Sequence, residues 1–316
     1  MNYRFLLIVC LATLGLAGAG WGKTEGKIAF TSWREGAGDV WIMNADGSGS
    51  VNLTQGRHGH CVSPAWSPDG TKIAYLAFSK DSASVWVDYS IGDVWLMDAD
   101  GGNSQQMGSL TKPGFKELFW AADGSLIYFI KYFTGRYEVF VVALDGSGSS
   151  PMDWREAAWI VKGSLENRGL SPDETKLADV VLQDSEGDAY LYLAIFAPGE
   201  VPQPSEQIED ILSRIDFRRI PLPDLPYQQA ELEPGTFIPA TPGPTWSPDS
   251  MRVAFSADNE QGDQEVWVVD IDGSNLVNLT DGLGGDYPAW QPVVPSATAT
   301  SVEAQSWGRI KALRSH

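Results

Sequence analysis

Cysteine is nearly missing from this chain, and histidine and basic charge are scarce. There are two cysteines, three histidines, and 22 Lys plus Arg against 41 Asp plus Glu, for a formal charge of −19. Each shortage excludes something. Cys10 falls in the leader described below, so Cys61 has no internal partner and stability must come from packing rather than disulfides. Only His58, His60 and His316 are present, too few for a histidine-rich metalloenzyme, and no cofactor or metal is expected. The acidity excludes a nucleic-acid partner, which needs clustered Lys and Arg, and it opposes docking on anionic lipid. The apolar run at the N-terminus, Phe5 to Ala19, spans 15 residues where ~20 are needed to cross a bilayer, so the mature chain has no expected membrane span.

That run reads instead as a targeting signal. Arg4 gives a positive start, and Ala17-Gly18-Ala19 has the small-x-small form of a cleavage site. Val9 before Cys10 does not suit a lipoprotein site. Residues 1–22 are thus a predicted cleaved signal peptide, which sends the chain to the periplasm or outside the cell. Residues 23–292 are expected to fold, with a Pro-rich insertion at 198–244. Residues 293–316 read as a flexible linker ending in a basic tail, with Arg309, Lys311 and Arg314.

What the chain does have is repetition. "PAWSPDGTKIAY" from Pro64 nearly returns as "PTWSPDSMRVAF" from Pro244. Related motifs put anchors at Trp66, Trp120, Leu170, Trp246 and Trp290. Between anchors comes a strand of the Ile73-Ala74-Tyr75 type, then one of the "DVWLMDADG" type, then in three units a short "NLT" or "SLT" strand. Ser67-Pro68-Asp69-Gly70 suits a tight turn, with Pro presetting φ and Gly tolerating the last position. The "VWIM" strands are apolar at every position, so both faces should be buried. Four-stranded units packed between copies of themselves meet that demand, and radial closure makes a β-propeller. The first unit begins at its second strand, and Tyr287-Pro288-Ala289-Trp290 supplies a first strand with nothing after it. Together they are expected to complete one blade. The prediction is an all-β propeller of five four-stranded blades, with room for a sixth in the long interval before Trp246, closed by pairing of the N- and C-terminal strands.

The stretch "PAWSPDGTKIAY … GDVWLMDADGG" resembles the WD40-like (PD40) repeat of the TolB propeller family, over Lys27 to Pro292. That resemblance implies a five- to eight-bladed propeller. The α/β domain that precedes the propeller in TolB has no counterpart in this sequence. The module also accompanies the catalytic domain of prolyl-oligopeptidase-like enzymes, so a propeller partner of a peptidase-like system is one alternative.

Catalytic signatures fail. No Gly-x-Ser-x-Gly elbow and no full Gly-x-x-x-x-Gly-Lys-Ser/Thr phosphate loop is present. The Asp-x-Asp-Gly segments lack the Gly and Glu that an EF-hand loop requires, and a hairpin turn explains them. Arg57-His58-Gly59-His60-Cys61 is the most distinctive local cluster, though without a fourth metal ligand. In a propeller the "SPDG" and "DADG" turns share one face, and the dissimilar loops share the other. Recognition is expected on the dissimilar face. Its candidate binding residues are His58, His60, Trp86, Tyr89, Phe115, Asp281 and Asp286, with no catalytic or metal-binding residue assigned. The expected function is a monomeric, non-catalytic scaffold that binds a protein or a surface polysaccharide. The alternative is a carbohydrate-active lyase or hydrolase using carboxylates such as Asp281 and Asp286 at the channel mouth.

Overall fold

The computed structural model describes residues 26–78, 92–110, 115–121, 123–133, 136–152, 171–173, 175–181, 190–195, 216–222, 243–259 and 261–293. The chain is all-β: every regular element among these residues is a strand, and the strands form five antiparallel sheets. The first sheet contains β1 (Lys27–Ser32), β2 (Asp39–Asn44) and β3 (Val51–Asn52). The second contains β4 (His60–Trp66), β5 (Lys72–Phe78), β6 (Gly92–Asp98) and β7 (Gln105–Leu110). In the third are β8 (Phe115–Trp120), β9 (Leu126–Phe133), β10 (Arg136–Ala143) and β11 (Ser149–Pro151). The fourth has β12 (Lys176–Val181), β13 (Tyr190–Ile195) and β14 (Asp216–Pro221). The fifth has β15 (Thr245–Trp246), β16 (Arg252–Asp258), β17 (Gln264–Asp270) and β18 (Val277–Asn278).

The last strand, β19 (Asp286–Trp290), belongs to none of its sequence neighbours. It pairs with β1, with Ile28 opposite Trp290 and Thr31 opposite Asp286, giving the order β19-β1-β2-β3. Gln291 reinforces the seam: its amide donates to the Lys27 carbonyl at 2.7 Å, and its side-chain Nε2 donates to the Gly70 carbonyl at 2.8 Å. Gly70 has φ +67°, and a Cβ there would come within 2.6 Å of the Pro292 carbonyl, so this turn admits only glycine without rearrangement. Strand β14 lies inside the Pro-rich insertion, where Phe217 pairs with Ala194 of β13.

The first, second and fifth sheets are apolar on both sides because each is covered on both sides. From β1 and β2, Ala29, Val40 and Ile42 pack on Ile73, Tyr75 and Met97 of the second sheet. The alternate residues Ile28, Phe30 and Met43 pack on Ala254, Val266 and Val268 of the fifth. Leu76, Val94 and Leu96 meet Leu118, Ile127 and Phe129 of the third sheet, and Leu191 and Leu193 of the fourth meet Val253 and Phe255. At roughly 1.5–3 kcal/mol per fully buried large side chain, these seams are the main source of stability.

The anchor tryptophans link one sheet to the next. Trp120 Nε1 donates to the Ala65 carbonyl, and Trp66 Nε1 to the Ala289 carbonyl, both at 3.1 Å. Each indole therefore bonds the residue just before the preceding anchor. A second link comes from a bulge before each Pro-Ala-Trp. Ser63 and Tyr287 adopt φ of 56° and 54°, and their amides donate to Thr31 Oγ1 at 3.0 Å and Ser256 Oγ at 3.2 Å in the adjoining sheets.

The turns at the opposite end satisfy themselves. Asp69 accepts from Ser67 Oγ at 2.6 Å and from the Thr71 amide at 3.0 Å. Asp46 and Asp272 each accept both the amide and hydroxyl of a serine two residues on. These bonds, the serine hydroxyl's first, hold the Asp46, Asp69 and Asp272 carboxyls below the usual carboxylate range. The aspartates of the repeated turns are thus engaged within their own hairpins.

Ending the chain at Gly284 removes β19, bares the edge of β1 and uncovers Phe30 and Ile28. The melting temperature is expected to fall by about 10 °C or more, read by circular dichroism. An unchanged, cooperative melt would show that β19 is dispensable.

Candidate functional site

The β1–β2 turn, residues 33–38, lies between two inter-sheet connections. On one side the Gly38 amide donates to His60 Nδ1 at 3.2 Å, and the Cys61 amide donates to the Gly38 carbonyl at 2.6 Å. On the other, Ser32 Oγ donates to the Leu283 carbonyl at 3.3 Å, and the Gly285 amide donates to the Gln264 carbonyl at 2.7 Å. The loop ends of the fifth, first and second sheets therefore form one continuous surface.

A carboxylate hidden beneath each connection sets its shape. Asp39, buried at the start of β2, accepts from Thr54 Oγ1 at 2.6 Å, the Gly56 amide at 2.7 Å and Asn52 Nδ2 at 3.2 Å. Glu265 occupies the same place in β17, fully buried, and accepts from Thr280 Oγ1, the Gly282 amide at 2.8 Å and Asn259 Nδ2 at 3.2 Å. The asparagines complete the motif. Asn52 Oδ1 accepts the Thr54 and Gln55 amides, and Asn278 Oδ1 accepts the Thr280 and Asp281 amides. This explains the paired sequences "NLTQG" and "NLTDG", each facing an acid before Val-Trp. Sequence reasoning saw the repeat but not the carboxylate it serves.

His58 and His60 share this surface but do not converge. The His58 ring stacks on Trp95 with centroids 3.7 Å apart and planes 25° from parallel. Burial, and then the nearby Arg57, lower its pKa, so it is neutral at neutral pH. The His60 ring sits 5.3 Å from Trp33, whose indole packs over Gly38. With its Nδ1 accepting from Gly38, the His60 proton is assigned to Nε2. Cys61 is buried in the seam between the first and second sheets. Among the described residues, no group of three or more His, Cys, Asp or Glu is arranged to hold a metal ion.

The two predicted aspartates differ in kind. Asp281 is exposed, at φ +39°, with its amide bonded to Asn278, and so occupies a turn position matching Gln55. Asp286 is half-buried as a residue, but its carboxyl is enclosed by protein. That enclosure pushes it up to about 6, against the opposing bonds from Ser256 and the Tyr287 amide, with the charge of Asp258 adding to the rise. Asp258 is also raised, by burial first and by Asp263, while a hydrogen bond from Gln264 opposes the rise. Asp258 was not among the sequence candidates, because it closes an ordinary apolar strand and belongs to no motif.

Phe115 begins β8, its backbone opposite Lys131. Trp86 and Tyr89 lie outside the described residues. Two neighbours of the predicted set went unnoticed in the sequence. Trp33 is 41% exposed, and the Arg34 guanidinium lies 4.2 Å over the Trp41 ring. The only signal for either was a position in a non-repeating loop.

No protein-family model matches the sequence. An uncharacterised protein of Agrobacterium fabrum is 29% identical over 113 residues, 34% of this chain and 36% of that protein. The protein TolB homolog of Chlorobium luteolum is 28% identical over 131 residues, 42% of this chain and 28% of that protein. The chain thus spans about a third of the length of these curated relatives. The crystal structure of TolB from Acinetobacter baumannii superposes with a TM-score of 0.49 at 17% identity, covering 86% of this chain and 68% of that one. TolB proteins are therefore found among both the sequence relatives and the structural neighbours.

Because the folded Asp286 holds its proton more tightly than an unfolded aspartate, stability falls as pH rises from about 4 through about 6. Asp286→Asn keeps the acceptor and removes the charge. It should stabilise the protein by up to about 2–3 kcal/mol at pH 7.5 and leave it unchanged near pH 3.5, measured by urea denaturation at both values.

Proposed function

We propose that this chain is an exported five-bladed β-propeller, closed by β19, that acts as a non-catalytic scaffold and binds another protein or a surface polysaccharide through its loop end. The observation that carries the reading is the contrast between the two ends. At the turn end the repeated aspartates are consumed by their own hairpins. At the loop end non-repeating side chains, Trp33, Arg34, His58 and His60, share one surface. Repetition serves folding, and departure from it is free for recognition. Trp86, Tyr89, Phe115, Asp281 and Asp286 complete the proposed binding set, aromatic residues being frequent anchors in interfaces.

The TolB relatives and the five antiparallel sheets, three of them packed on both faces, support the propeller. The leader at 1–22 and the likeness to TolB support a periplasmic address. No helix among the described residues is long and apolar enough to cross a membrane. In this reading the mature chain is monomeric, and residues 293–316 are a tail beyond the folded part.

The enclosed Asp286, coupled to Asp258, favours a second reading, a glycan lyase or hydrolase in which Asp286 is the proton donor. Turnover of neutral or acidic glycans that is lost in Asp286→Asn would establish it. For the scaffold, photo-cross-linking groups placed at position 58 or 60 should capture an envelope partner about tenfold more efficiently than groups placed at 46 or 272. Equal capture from both ends would overturn the assignment of the loop end as the binding face.

A further inference from the structure

Arg34 is an anomaly in so acidic a chain. Its Nε donates to Ser32 Oγ at 2.9 Å, while its Nη2 is buried with no hydrogen-bond partner. The guanidinium lies over the Trp41 ring, and Trp41 Nε1, on a side chain only 8% exposed, also lacks an acceptor. Two packed side chains thus each hold a buried donor, one of them charged, for which the chain provides no acceptor.

The nearby acids do not fill this role. Glu265 is occupied by Thr280, Asn259 and Gly282, and Glu35 accepts from Asn52. Both act on Arg34 through space, partly offsetting the burial that lowers its pKa, yet neither bonds to it. Apolar surface flanks the cation. Trp33 is 41% and Leu283 52% exposed, two of six large apolar side chains so exposed among the described residues. Ser32 connects them, bonding Arg34 Nε on one side and the Leu283 carbonyl on the other.

We propose that Arg34 is a carboxylate-recognition site, receiving a single carboxylate from an apolar segment of a polypeptide partner whose aliphatic groups cover Trp33 and Leu283. This rests on the loop-end reading above and names the chemistry of the partner. Glu35 and Glu265 act on Arg34 through space, so each negative charge brought in is opposed and a singly charged ligand is preferred to a multiply charged one. The cation is held over the Trp41 ring and tied at Nε to Ser32, which leaves Nη2 as the donor for an incoming carboxylate.

The test uses the whole protein and tryptophan emission. N-acetyl-leucine should change the emission saturably, and N-acetyl-leucinamide, which lacks the carboxylate, should bind about tenfold more weakly. A peptide-amide with an internal glutamate between leucines distinguishes a side-chain carboxylate from a chain terminus. Tighter binding of either acid supports the proposal and identifies the source. Arg34→Gln should abolish the preference for acid over amide. Equal binding of acid and amide by the unaltered protein, absence of saturation with every probe, or a preference that survives Arg34→Gln would overturn it. Partner capture that persists in Arg34→Gln but is lost on replacing His58 and His60 removes this site and leaves the loop-end reading standing. A preference for acid without any captured partner does the reverse.

Discussion

Burying both faces of a sheet is the constraint from which the rest of the molecule follows. A strand such as Val40-Trp41-Ile42-Met43 sends alternate side chains into two different seams, so no sheet is stable alone and each needs a neighbour on either side. The anchor tryptophans turn this general demand into a fixed geometry. An indole that bonds the backbone of the first strand of the adjoining sheet sets both the spacing and the direction in which one sheet follows another. Apolar burial supplies the energy, and the indole bonds supply the register.

Polar groups at the loop end perform a parallel task. A connection between sheets carries backbone donors that water alone would leave mobile, and a buried carboxylate collects them. Asp39 and Glu265 do this with the same partners in two different sheets. Their acceptors are filled, so burial costs less than it would for an isolated charge. Asp286 and Arg34 contrast with them. Arg34 keeps a buried donor unpaired, the enclosed Asp286 carboxyl is raised despite its hydrogen bonds, and both belong to the end where the repeats diverge. Groups that folding leaves incompletely satisfied are reasonable places to look for recognition.

Much of the scaffold was legible in the sequence because its determinants are local and periodic. Trp66, Trp120, Trp246 and Trp290 marked one edge strand of each of four sheets, and the unmatched first strand at Tyr287–Trp290 pointed to its partner at Lys27. The turns were readable from Ser-Pro-Asp-Gly alone. The site was less legible, for physical reasons. The partnership of Asp39 with Thr54 and Gly56 joins residues 15 and 17 positions apart, and the influence of Asp258 on Asp286 crosses from one sheet to another. His58 and His60 stood out in the sequence as a local cluster with Cys61, but pattern could not show that one stacks on Trp95 while the other bonds Gly38. In the Pro-rich interval Ile208, Ile211, Leu212 and Ile215 fall at helical spacing while Ile215 and Phe217 suit a strand, and pairing of Phe217 with Ala194 of β13 decides for the strand at Asp216–Pro221.

The pairing of β19 with β1 also bears on how the molecule is made. Lys27 and Gln291 are 264 positions apart, so β1 is synthesised long before the strand that covers its edge exists. Until then the nascent first sheet presents unpaired amides and carbonyls beside Ile28 and Phe30, a template for pairing with the wrong chain. Contacts of such separation form slowly, since a long loop must close before any are gained. Cells producing this protein quickly would therefore depend on holding the unfinished polypeptide apart from its copies until the final strand emerges.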